Sequence, residues 1–272
     1  NPILLAIYLI ILIFPAISYA IKEKSKKLIF YWASALFFLF GIFMSGSRAA
    51  FLGLIIGGFY FLIAYPKKMP KLKLVGLVPL IIVIFGILYV SISPKLPGFI
   101  ENNDRLSLIA DRTSIGSIAE ALGKTRFSAW KTFSNAVLEK PILGWGAENQ
   151  SIAFDRHYDP KMDYLVKSGQ NWWDRAHNIF LDVALSYGIP FLVLYLILFG
   201  YLFFRLQKSK SINPERNIAS HGIQALILAY FTALIFGFDS VTTYIMIFFV
   251  VGYSLYLVSP GLNGTENKGG GI

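Results

Sequence analysis

The sequence predicts an all-α integral membrane protein of about seven transmembrane helices, interrupted by one large extracytoplasmic loop that contains amphipathic helices. Three observations carry that expectation. Of the 272 residues, 56% are hydrophobic and mean hydropathy is +0.59, whereas a soluble domain is usually less than half apolar. The apolar residues fall in runs close to the about 20 positions that cross about 30 Å of hydrocarbon at about 1.5 Å per residue. Basic residues gather in every second connection between those runs, as topology imposes on a multispanning chain. Net charge +10 and a pI near 9.6 therefore reflect orientation in a bilayer, and no nucleic acid is expected as a partner. Cysteine is absent, which removes disulfides and thiolate metal sites.

In chain order, the predicted spans cover residues 3–21, 28–44, 49–65, 74–92, 179–204, 218–238 and 241–258. Asn1-Pro2-Ile3 enters the first run with no initiator Met and no basic leader, so the chain reads as a fragment of a longer protein and not as a signal peptide. Lys22, Lys24, Lys26 and Lys27 fill the first connection, Lys67, Lys68, Lys71 and Lys73 the third, and Arg205, Lys208, Lys210 and Arg216 the fifth. The second holds only Arg48 and the sixth only Asp239. Connections one, three and five are expected to be cytoplasmic, with the C-terminus, and two, four and six extracytoplasmic. The chain divides accordingly into spans one to four (1–92), an extracytoplasmic loop domain (93–177), spans five to seven (178–258) and a Gly-rich tail (259–272), expected to be disordered and cytoplasmic.

The fourth connection carries eleven Lys plus Arg against ten Asp plus Glu between Ser93 and Ala176. That balance and length predict a folded cap. Within it Trp130, Phe133 and Val137 recur at helical spacing after Arg126, which predicts an amphipathic helix lying on the bilayer or on the bundle. Pro141 ends it, and Pro141-Ile-Leu-Gly144-Trp145-Gly146 predicts a tight turn.

Five places could carry chemistry. Arg48 follows Ser45-Gly46-Ser47 at the extracytoplasmic start of span three. It is either a snorkelling anchor or a phosphate ligand, because a guanidinium binds phosphate oxygens as a fork. Arg126 opens the amphipathic helix and is either a solvated charge or a second ligand at the depth of a lipid-linked diphosphate. His177, in Asp174-Arg175-Ala176-His177-Asn178, sits where a polar loop meets a span. A lone His is more often structural. Its border position beside Arg175 and Asn178 suits a general base that takes a proton from a sugar hydroxyl. Arg175 could hold negative charge there or pair with Asp174, and Asp182, one turn into the next helix, could orient the imidazole. Asp239 could orient a base or pair with an Arg. No His, Asp and Glu fall at metal-ligand spacing, so neither a metal nor another cofactor is expected.

Taken together, Ser45-Gly-Ser47-Arg48, Arg126 with Trp130, Pro141-Ile-Leu-Gly144-Trp-Gly146, and His177-Asn178-Ile-Phe-Leu followed by Gly188-Ile-Pro190 resemble the O-antigen ligase and Wzy-type polymerase superfamily. Each motif is loose alone; their order and common outer placement are more specific. The resemblance implies the C-terminal part of a GT-C-like fold of about twelve spans, in a bacterial inner membrane. It implies a metal-independent glycosyltransferase that moves a glycan from undecaprenyl diphosphate to an acceptor hydroxyl. Lipid A-core, a growing polysaccharide or a protein Ser/Thr are all possible acceptors. By the same resemblance Arg48 and Arg126 would bind the diphosphate and His177 would activate the acceptor. Pro190-Phe191 stands where many relatives carry a further Gly after Gly188-Ile. Two other classes compete. A lipid-linked glycan flippase would place charges in mid-membrane, where these spans hold few apart from Asp182. A purely structural membrane protein leaves Arg48, Arg126 and His177 on one side without a reason.

Overall fold

The computed structural model describes residues 2–64, 98, 102–104, 107, 126–161, 172–212 and 217–259. Nine helices are described: α1 Pro2–Lys22, α2 Lys27–Ser45, α3 Arg48–Ile63, α4 Phe127–Glu139, α5 Gln150–Arg156, α6 Ile179–Tyr187, α7 Ile189–Ile212, α8 Asn217–Leu234 and α9 Val241–Val258. The described residues hold no strand, and the all-α membrane class holds. α1, α2, α9 and the Ile189–Ser209 part of α7 are long and apolar enough to cross a membrane, and α3 is a shorter apolar helix. The predicted span 74–92, the basic stretch 66–73 and the tail from 260 lie outside the described residues.

Two boundaries differ from expectation. The predicted single span 179–204 is two helices, broken at Gly188. Gly188 has a φ of 87°, a left-handed value that costs any residue with a Cβ. The predicted span 218–238 ends at Leu234, and Ile235–Ser240 form a turn before α9.

α8 is the central helix although it carries several polar side chains. Ser220, His221, Gln224 and Tyr230 are all fully buried. Protein surrounds them instead of lipid, so each polar group has to find a partner. His221 Nε2 lies 2.8 Å from the Phe61 carbonyl, Tyr60 donates to Gln224 Oε1 at 2.8 Å, and Gln224 Nε2 donates to the Phe203 carbonyl at 2.9 Å. These bonds tie α8 to α3 and α7. Between α3 and α8 the backbones meet through small residues. A Cβ on Gly57 would stand 2.7 Å from the Ala225 carbonyl oxygen and from the Ala229 Cβ. With no hydrophobic drive between helices in lipid, such close packing is a main source of association.

α3 and α8 run antiparallel, since Gly53 faces Ala229 and Ala233 while the Phe61 ring packs at a tilt against His221. The start of α3 therefore lies at the α8–α9 end of the bundle. The loop helices α4 and α5 meet α6 at that end in a second core. It contains Ala129, Phe133, Ala136, Phe154, Trp173, Ala176 and Leu185. Burying Phe133 or Phe154, each fully enclosed, contributes about 1.5–3 kcal/mol. The amphipathic helix predicted from Trp130, Phe133 and Val137 thus lies on the bundle.

Candidate functional site

The site is built where four helices begin. Gly46, at φ 60°, closes α2, and Ser47 caps α3 by accepting the Ala50 N–H at 3.3 Å. This stop-and-start sets Arg48 as the first residue of α3. Arg126 directly precedes α4. Asn178 caps α6, its Oδ1 accepting the N–H groups of Phe180 and Leu181 at 3.0 and 3.3 Å. Ser240 and Thr243 form a capping box at the start of α9.

The turn between α8 and α9 joins these starts. The Arg126 guanidinium lies over the Phe236 ring at 5.7 Å and Trp130 stacks on the same ring at 6.0 Å. The Phe238 ring packs edge-on against His177 at 4.8 Å and lies 5.3 Å from the Arg175 guanidinium. Trp173 also packs edge-on against His177, at 5.0 Å. Arg48 is close enough to Arg126 to disfavour its charged form, after burial, which is the larger cause. Among the described residues no carboxylate pairs with Arg126. Like charges held close together cost free energy, and an anion between them offsets that cost.

His177 has a φ of 51°, a left-handed conformation that costs about 1–2 kcal/mol for a residue with a Cβ. Neighbouring bonds hold it there. Trp130 Nε1 donates to the Ala176 carbonyl at 2.9 Å, and the Ala176 N–H donates to Asp182 Oδ1 at 2.9 Å. His177 Nδ1 lies 3.1 Å from the Arg175 carbonyl oxygen, which can only accept. That contact assigns the proton to Nδ1 and leaves Nε2 with a free lone pair. Burial, and then the Arg126 and Arg175 charges, lower the His177 pKa, against the Arg175 carbonyl bond and Asp174, which raise it. The balance favours the neutral imidazole, the form that can accept a proton.

The remaining candidates take more specific places. Arg175 pairs with Glu148, not with Asp174; one guanidinium nitrogen reaches both carboxylate oxygens at 2.8 and 2.6 Å. Asp182 holds the backbone before His177 and not the imidazole. Asn178 commits its amide oxygen to the α6 cap. Asp239 is 4% exposed and accepts the Tyr230 hydroxyl at 2.5 Å. Burial raises its pKa, against the hydroxyl bonds from Tyr230 and Thr243. It orients no imidazole and pairs with no Arg among the described residues.

Sequence reasoning missed Phe236, Phe238, Glu148 and Gln150. The aromatic–Gly–aromatic–Asp run 236–239 before a Ser-x-x-Thr helix start was a readable signal. Nothing marked Glu148, whose φ of 62° and pairing with Arg175 emerge only in three dimensions. Trp145 proves to be a strut. Its indole N–H donates to the Ala136 carbonyl at 2.8 Å, and its own backbone N–H donates to Leu185 O at 2.7 Å. Among the described residues no cluster of three or more His, Asp or Glu could hold a metal.

A helical membrane bundle that gathers two arginines and a histidine at one end defines a class, a polytopic membrane protein with a cluster of polar side chains at its rim. A family described as O-antigen ligase matches residues 33–196, more than half of the chain, and the protein belongs to that family. The match takes in Arg48, Arg126, His177 and Asp182 and stops short of Asp239. The chain is also similar, at 24% identity over 224 residues, to the ComP-specific O-oligosaccharyltransferase of Acinetobacter baylyi (strain ATCC 33305 / BD413 / ADP1). That alignment covers 79% of this chain and 36% of the relative, so the chain spans well under half of the relative's length.

Proposed function

We propose that the protein transfers a glycan from undecaprenyl diphosphate to an acceptor hydroxyl at the outer face of a bacterial inner membrane. One observation carries the reading: Arg48, Arg126 and His177 lie close enough for each to feel the next. Arg48 and Arg126 bind the donor diphosphate and offset the charge that grows on it as it leaves, taking the part that a metal plays in other transferases. The helix starts beside them add positive dipole ends. His177 Nε2 takes the proton of the acceptor hydroxyl as its oxygen attacks the anomeric carbon. The anomeric C–O bond to the diphosphate breaks, and the diphosphate leaves with that electron pair. Each of the three side chains is changed to Ala in turn, and transfer from the lipid-linked donor is measured. Normal transfer by His177→Ala would sink the base role.

The name of the Acinetobacter baylyi relative favours a protein Ser/Thr hydroxyl as acceptor. Lipid A-core for a ligase and a growing polysaccharide for a Wzy-type polymerase are the alternatives. Separate assays with a candidate protein, lipid A-core and polysaccharide decide among them.

A further inference from the structure

Beside His177 lies a cavity of about 60 Å³ that the transfer step leaves unused. It has room for roughly four water-sized groups. Gln150, Arg175, Asp182, Ser186, Asp239 and Tyr244 line it, together with Phe238, the ring that touches His177. Three of these lining residues carry a buried oxygen with no hydrogen-bond partner among the described residues: Asp182 Oδ2, Asp239 Oδ1 and Gln150 Oε1. Their residues are 6%, 4% and 4% exposed.

Each of these side chains is fixed by its other polar atom. Asp182 Oδ1 holds the Ala176 N–H, Asp239 Oδ2 holds the Tyr230 hydroxyl, and Gln150 Nε2 donates to Ser186 Oγ at 2.9 Å. A flipped Gln150 would turn its oxygen toward the Asp182 carbonyl, which its NH₂ now faces at 3.5 Å. The cation on the wall, Arg175, is engaged by Glu148. The cavity is therefore rich in acceptors and short of donors.

An occupant has to bring several donors and no negative charge. Phosphate fails because it brings further acceptors and few donors, and an apolar group would leave three acceptors buried without partners. A hard cation needs six or more oxygens. Three buried oxygens without partners fall short of that, and among the described residues no cluster of three His, Asp or Glu could hold a metal. Neutral hydroxyls, of ordered water or of a carbohydrate, meet every requirement, because a hydroxyl bond to a carboxylate is charge-assisted.

We infer that this cavity is a sugar subsite in which Asp182, Asp239 and Gln150 accept hydrogen bonds from the hydroxyls of one carbohydrate ring edge beside the reacting centre. The inference rests on the glycan-transfer reading and names its specificity element. Asp182 and Asp239 select hydroxyl-bearing rings over deoxy or anionic ones at this position.

The test uses the full-length protein in detergent, with saturation-transfer NMR reading free glucose, galactose and N-acetylglucosamine, and farnesyl diphosphate as a separate diphosphate probe. At least one sugar is expected to bind. Asp239→Asn and Gln150→Met are each expected to weaken it about five-fold or more while farnesyl diphosphate binds as before. Gln150→Met decides if Asp239→Asn fails to fold, as its melting curve would reveal. The subsite is overturned if no sugar binds, if sugar binding survives in both folded variants, or if Ca²⁺ or Mg²⁺ alone protects the wild type against heat but not Gln150→Met. Loss of farnesyl diphosphate binding in the wild type would instead overturn the donor reading and leave the sugar result standing.

Discussion

Asp182 accepts the backbone N–H of Ala176 at 2.9 Å and so reaches back across the start of its own helix to hold the peptide that precedes His177. Its role is to fix the loop. Asp182→Leu leaves that N–H buried without a partner, which costs about 1–3 kcal/mol. Asp182→Asn keeps an acceptor and is expected to retain most of the stability. Thermal melts of both variants, read beside their transfer rates, check this. Equal stability in the two variants would show that the bond does not hold the loop.

Arg48 and Arg126 reach the same place from helices far apart in sequence. Alanine at either position is expected to slow transfer about 100-fold or more, as loss of one preorganised charge does elsewhere. Lysine restores the charge without the fork, so Arg48→Lys and Arg126→Lys are expected to recover only part of the rate. The check is a donor-concentration series, in which a loss that persists at saturating donor marks the leaving diphosphate and a loss confined to limiting donor marks donor binding alone.

For His177 the direction of the shift sets the pH dependence. Burial and two nearby cations hold its pKa below the usual imidazole value of about 6.5. The neutral, proton-accepting form therefore persists on the acid side of that value, and transfer is expected to fall only at lower pH. Arg126→Gln removes one of the lowering charges, so the acid limb of its residual activity is expected to move to higher pH. An acid limb that stays in place in Arg126→Gln would mean that another group titrates. Linkage to stability has the same sign: the unfolded chain gains a proton at His177 before the folded one, so falling pH destabilises the fold through this group.

The bundle was legible in the sequence because lipid demands long apolar runs, and six of the seven expected spans have helical counterparts among the described residues. Arg48, Arg126 and His177 were legible because charged or titratable groups at a membrane border are costly and therefore few. The supporting contacts were not. The Arg175–Glu148 pair spans 27 residues, and the Trp130–Ala176 bond spans 46. No local pattern records such distances. The break at Gly188 was hidden for a different reason: the apolar run continues across it, so hydropathy does not register a backbone turn.

That break gives the last prediction. Gly188 and Gly144 both have positive φ, 87° and 68°, and the turn Pro141–Gly146 docks between α6 and α7 through their bare backbones. Ile189 N–H donates to Pro141 O at 2.7 Å, and Gly146 N–H donates to Ser186 O at 3.0 Å. A Cβ on Gly144 would stand 2.6 Å from the Leu185 carbonyl oxygen, so Gly144→Ala combines a clash with a left-handed backbone that costs about 1–2 kcal/mol alone. Gly188→Ala faces the Ile142 carbonyl in the same way. Both variants are expected to melt several degrees lower. Transfer is expected to fall with them, because this turn seats the second core against α6, the helix that carries Asp182. A Gly200→Ala control in α7, where the added Cβ meets nothing within 4 Å, is expected to leave the melt unchanged. If all three alanine variants melted alike, the docking of bare backbones would not be what holds the cap on the bundle.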